Sequence, residues 1–92
     1  MSDNTEEKLL RVTSGGNPKN LASAIAHALY ESPEVTLRAV GASALNQAVK
    51  GIIIARSYVA PRGMDLYVVP GFVTIESRDG DISAIVLKVR VS

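Results

Sequence analysis

Between Val40 and Pro61 the chain reads VGASALNQAVKGIIIARSYVAP, the longest helical pattern it contains and the stretch that most limits what it can fold into. Leu45, Ala48, Val49, Ile52, Ala55, Arg56 and Val59 recur at the i, i+3, i+4, i+7 spacing of one helix face. Ser43 stands where an N-cap belongs, with Asn46 at the third helical position in place of the Glu or Gln of a full capping box. Pro61 has no N–H to donate and disfavours the α region at Ala60, which predicts a stop there. Ile53 and Ile54 spill past the stripe that holds Ile52. One face cannot bury all three, so the helix needs a second partner besides its own sheet, and Ile53 and Ile54 are candidates for a dimer interface.

Packing must come from aliphatic side chains, because 47% of the 92 residues are hydrophobic and only 4% are aromatic. A chain of this length is near the small end of what folds alone on one core. It has no cysteine, which excludes disulfides, thiolate zinc sites and cysteine nucleophiles. His27, the single histidine, has no serine or carboxylate at a motif spacing and reads as an ordinary surface residue. With no catalytic set and no metal-ligand cluster, the expectation is a protein that is not an enzyme and takes no cofactor or metal. Met1 to Lys8 lacks an apolar signal core, and no apolar run reaches the roughly 18 residues of a membrane span. A soluble, cytoplasmic protein with no membrane partner is expected.

The net charge of +1 favours no class of partner. Its distribution says more. Asp3, Glu6 and Glu7 lie in a polar stretch without apolar pattern, read as a flexible acidic leader over residues 1–7 ahead of a single domain over residues 8–92. Setting those three acids aside leaves six against ten Lys and Arg, a body of +4. That is mildly basic, well short of a dedicated polybasic nucleic-acid binder.

In chain order, Lys8 to Thr13 is a short strand with Leu10 and Val12 on one face and Leu9 and Arg11 on the other. Ser14-Gly15-Gly16 turns the chain, and Asn17-Pro18 opens a helix as N-cap and first helical residue. That helix is predicted from Pro18 to about Tyr30, burying Leu21, Ala22, Ile25, Ala28 and Leu29 before Ser32-Pro33 stops it. Val35 to Val40 is a second strand, feeding the long helix through Gly41. Met64 to Ser77 is β in composition, with a bulge or bend expected at Pro70-Gly71. Arg78-Asp79-Gly80-Asp81 is a hairpin signal of the kind in which Asp-Gly supplies two positive φ angles. Ile82 to Val91 is the last strand, with Ile85, Leu87, Val89 and Val91 on one face and Ile82, Ala84, Val86, Lys88 and Arg90 on the other. The order is β-α-β-α-β-β. Right-handed crossovers then put both helices on one face of a four-stranded mixed sheet, an α+β two-layer domain.

The segments NPKNLASAIAHAL, LRAVGASALNQAVKGIIIARSYVAP and MDLYVVPGFVTIE resemble the stage V sporulation protein S family, and the likeness spans Leu9 to Val91. That family in turn looks like a distant branch of the Alba superfamily, whose domains of the same element order dimerise and bind DNA or RNA. The resemblance implies a homodimeric or higher-oligomeric nucleic-acid-binding protein acting in sporulation or developmental gene regulation. One departure stands out: where Alba proteins are basic around the start of the second helix, this chain has Gly41-Ala42-Ser43 and Gln47, and the loop before the first helix has only Lys19.

Candidate contacts follow. The Gly15-Gly16-Asn17 loop opens a helix N-terminus, which offers free N–H groups and a positive dipole end to an anion, with Lys19 assisting. The bland alternative is that the glycines only make the turn. Ser43, Asn46, Gln47 and Lys50 lie on the opening turns of the long helix and suit polar contacts to nucleic acid, or are plain solvent-facing residues. Arg78 at the hairpin tip is the outermost candidate, offset by Asp79 and Asp81, which repel phosphate. A dimeric protein–protein adaptor that has lost the nucleic-acid surface is the alternative favoured by neutral Ser43 and Gln47. An enzyme or small-ligand binder using the Gly15-Gly16 loop is the third.

Overall fold

The computed structural model describes residues 8–92, so the acidic leader lies outside the described residues. Strand β1 (Leu9–Val12) leads to helix α1 (Pro18–Glu31), strand β2 (Glu34–Ala39), helix α2 (Ala42–Val59), a 3-10 turn (Ala60–Arg62), and strands β3 (Leu66–Ile75) and β4 (Ile82–Val91). The sheet order is β1-β2-β4-β3, with β1 and β2 parallel and the other two pairs antiparallel. Both helices pack on one face, as the element order predicts. The molecule is only 19 Å along its thinnest axis, the depth of one helix layer on one sheet, so no described element covers the other face.

The core is aliphatic. Val35, Leu37, Leu87 and Val89 of the sheet meet Ile25 and Leu29 of α1 and Ile52, Ala55 and Val59 of α2. On α2 the buried stripe is Ala44, Ala48, Gly51, Ile52, Ala55 and Val59. It is rotated from the stripe that large side chains alone suggest: Val49 and Arg56 point to solvent. The reason is the fit between helices. A Cβ on Gly51 would lie 2.7 Å from Leu21 Cδ2 and 2.9 Å from Leu21 Cγ, so α1 passes closest to α2 where α2 has no side chain. Of the three consecutive isoleucines, Ile52 is buried, Ile54 packs at the margin of its own core, and Ile53 remains 61% exposed.

Three local expectations are corrected. Ser43 does not cap α2; the cap is Gly41, at φ 90 and ψ 161, and no side chain bonds the helix opening. A left-handed φ at the entry costs glycine little, and the helix begins two residues earlier than a serine cap at 43 allows. Ala60 takes helical angles (φ −56, ψ −41) despite Pro61. The chain tightens into a 3-10 turn there, so the missing proline N–H interrupts no α ladder, and Gly63 at φ 77 ends it. Pro70-Gly71 makes no bulge: register runs unbroken from Leu66↔Val91 to Ile75↔Ile82. Ser92 N–H bonds Asp65 O at 2.9 Å, so odd-numbered β3 residues carry the bonds to β4, and Pro70 turns its nitrogen to the free edge, where a missing N–H breaks nothing.

The hairpin turn also differs in detail. Gly80 N–H bonds Ser77 O at 3.3 Å, so Arg78 and Asp79 are the central residues, and only Gly80 (φ 120) is left-handed. Ser77 Oγ ties this turn by donating to Gly80 O at 2.6 Å.

Candidate nucleic-acid interface

Because β1 and β2 are parallel, their last residues, Val12 and Ala39, are register partners at one end of the sheet, and each helix starts just beyond them. β4 follows β2 only as far as Ile85, opposite Ala39. The β3–β4 ladder continues through Val73↔Ala84, Thr74↔Ser83 and Ile75↔Ile82. Those pairs project past the same end as a two-stranded arm, roughly 10 Å long at about 3.3 Å per residue. Lys19, Ser43, Asn46, Gln47 and Arg78 therefore share one end of the molecule, and Lys50 stands one helical turn behind.

The two helix openings are not independent. Gln47 Nε2 donates to Gly16 O at 2.5 Å, tying the β1–α1 loop to the first turns of α2. This bond commits the Gln47 Nε2 donor to the protein itself, and through it Gln47 positions the loop. At α1, Asn17 Oδ1 accepts from Lys19 N at 2.8 Å, Gly16 N–H goes to Thr13 O, and Pro18 has no N–H. Few donors are left there for an anion, whatever the glycine loop suggests. At α2 the balance is reversed: Gly41 supplies no side-chain acceptor, no side-chain bond caps the opening, and Ser43 beside it is exposed.

Several cations are already engaged. Lys8 Nζ lies 2.8 Å from Glu31, Arg56 grips Asp65 through Nε (2.9 Å) and Nη2 (3.3 Å), and Arg90 Nε lies 2.6 Å from Glu34. The Arg56 hydrogen bond, helped by the Leu66 N–H, holds the Asp65 carboxyl below its ordinary value and raises Arg56 in turn. The bond from Lys8 lowers Glu31, and the bond to Glu34 raises Arg90. Arg62 stacks 3.7 Å over the Tyr30 ring, whose edge meets His27. Among the described residues, Arg11, Lys19, Arg38, Lys50, Arg78 and Lys88 have neither a carboxylate nor a ring partner.

A cavity of about 290 Å³ lies beside this end, between the β1 edge and α1, lined mainly by apolar groups, with Arg11, Thr13, Asn17, Asn20 and Gln47 as its polar residues. Its described lining residues include no carboxylate, imidazole or amine to act as general acid or base. Among the described residues no group of three His, Cys, Asp or Glu side chains gathers to hold a metal ion. No described helix is long and apolar enough to cross a membrane.

Residues 8–92 match the family described as Stage V sporulation protein S. The chain belongs to that family. Among solved structures it is similar to Alba from Thermoplasma volcanium, at 16% identity and a TM-score of 0.59 over 92% of this chain and 99% of that one. At that identity the likeness establishes a shared fold and nothing more. In this stage V sporulation protein S family chain, the end combines a neutral opening of α2 with the Gln47 brace. Sequence reasoning finds the Asn17 cap from its side chain. It misses Gly41 and Gly51, which act through the side chain they lack, and the brace, which joins residues far apart in sequence.

Proposed function

We propose that this is a non-enzymatic, homodimeric nucleic-acid-binding protein, acting in the cytoplasm in sporulation or developmental gene regulation without metal or cofactor. What carries the reading is the gathering of both helix openings and the β3–β4 arm at one end of the sheet. Lys19, Ser43, Asn46 and Lys50 contact the backbone there, Gln47 holds the loop in place, Arg78 touches at the periphery, and Gly15, Gly16 and Asn17 shape the approach. Ile53 and Phe72, exposed by 61% and 82%, supply apolar surface for the second copy, with Ile54 behind Ile53. In a dimer each cation appears twice, so a sparse surface engages a duplex in two places.

The test is binding of duplex DNA and duplex RNA across salt. With so few charges, the slope of log K against log salt should be no steeper than about −5. Lys19→Glu with Lys50→Glu should lower duplex affinity at least tenfold and leave the melting temperature unchanged; binding like the parent's sinks the assigned surface. The neutral Gly41-Ala42-Ser43 opening favours a second reading, a dimeric protein–protein adaptor. Absence of any DNA or RNA binding at low salt, with dimerisation intact, selects the adaptor.

A further inference from the structure

The face of the sheet away from the helices is neither random nor neutral. Strand register puts Glu34, Arg90 and Tyr67 in one row, Leu9, Thr36, Lys88 and Val69 in the next, and Arg11, Arg38, Val86 and Gly71 in a third. The strands place four cations and a single carboxylate there, and among the described residues Arg90 with Glu34 is the one ion pair on this face. Arg11 and Arg38 are direct register partners. Like charges side by side on adjacent strands repel, and an anion bound between them relieves that repulsion. Thr36, 5% exposed, lies in the middle row with its Oγ1 buried and without a hydrogen-bond partner, an unmet polar group of the sort that folded proteins rarely keep.

Around these cations the surface is apolar. Leu9, Tyr67 and Val69 are each more than 40% exposed on this face. We infer that single-stranded nucleic acid lies across the open face of the sheet, with Arg11, Arg38 and Lys88 on its phosphates and Tyr67 stacking on a base. Guanidinium forks match phosphate oxygens two at a time. An unpaired base has a π-face for Tyr67 and for the aliphatic floor, and those groups gain nothing against the outside of a duplex. An acidic peptide matches the cations but not the exposed aromatic and aliphatic floor. The inference rests on the reading of the protein as a nucleic-acid binder, but it uses a different surface from the helix-opening end.

The experiment measures fluorescence anisotropy of a labelled 12-nucleotide oligouridine, a labelled duplex and a labelled poly-glutamate peptide with the full chain. Arg38→Gln with Lys88→Gln should weaken oligouridine binding roughly tenfold or more and reduce its salt slope by about 1.4, at ~0.7 per lost phosphate contact. Tyr67→Leu, which keeps the apolar surface, should weaken it about tenfold with the slope unchanged. Arg11→Thr should weaken binding while raising the melting temperature, an opposition that a merely structural role does not produce. Oligouridine binding that none of these changes alters overturns the inference, as does poly-glutamate bound as tightly as oligouridine. Duplex binding without oligouridine binding overturns it and leaves the helix-end surface standing. Oligouridine binding lost in the sheet variants, with duplex binding unaffected by Lys19→Glu and Lys50→Glu, removes the helix-end surface and leaves this one. No binding of either probe overturns both.

Discussion

The two helices of this protein begin and pack by opposite means. α1 is specified by what its residues carry: the Asn17 carboxamide accepts the Lys19 N–H at 2.8 Å, and Pro18 fixes the first φ. α2 is specified by what its residues lack. Gly41 enters the helix at φ 90 without a capping side chain, and Gly51 leaves the space that Leu21 of α1 fills. The contrast teaches that a helix can be fixed as firmly by absent atoms as by present ones. An absent atom has no chemical signature to read along a chain.

The largest expected effect tests the absent atom at the helix crossing. Gly51→Val should cost about 3 kcal/mol by overpacking against Leu21, a fall in melting temperature of more than 10 °C for a domain of this size. Gly51→Ala is the sharper version. Alanine gains about 1 kcal/mol of helix propensity, yet its Cβ meets Leu21 Cγ as well as the mobile Cδ2, so a net loss of roughly 1–2 kcal/mol is expected. Combining it with Leu21→Ala should return part of that loss in a double-mutant cycle. A stabilised Gly51→Ala would mean that the helices separate freely and that the closeness is incidental.

At the entry to α2, Gly41→Ala should cost about 1–2 kcal/mol, because a Cβ is strained at this φ even though nothing lies within 4 Å of it. At the entry to α1, Asn17→Ala should cost about 1 kcal/mol and Asn17→Ser much less, since serine restores the acceptor. Urea melts of the three variants rank the two ways of starting a helix. Equal tolerance of alanine at 41 and of serine at 17 would erase the contrast.

The smallest effect lies where α2 hands over to β3. Asp65 titrates below its ordinary value because Arg56 and the Leu66 N–H bond its ionised form. A lowered folded pKa gives stability that is present above the unfolded value near 4 and is lost as pH falls through the folded one. The melting temperature of Asp65→Asn should therefore sit slightly below the parent's at neutral pH and converge with it under acid. A constant gap from pH 7 to pH 2 would assign the difference to geometry instead of charge.

Element order, both helix-bearing crossovers and the faces of β4 were legible, because each depends on periodicity within ten to eighteen residues. What was not legible depends on partners far along the chain. Val49 looks like core by its type, but burial on α2 follows the small residues that let α1 approach. Pro70 looks like a break until β3 is known to be an edge. The candidate site divides in the same way. Lys19, Ser43, Asn46 and Lys50 could be named from helix openings, whereas Arg11 and Arg38 become neighbours only through the register of β1 on β2, and Gln47 becomes a brace only once Gly16 stands beneath it.

Pro70 has a consequence for assembly. Leu66, Val68, Phe72 and Thr74 turn their N–H groups outward along the β3 edge, and the proline between them turns outward a nitrogen with no hydrogen. A strand arriving from another molecule would find its ladder interrupted at the midpoint, beside an exposed phenylalanine that invites contact. The long β3 edge is thereby guarded against edge-to-edge growth of the sheet. Along it, copies of this chain are left to meet through side chains, which disfavours a fibre built on this edge.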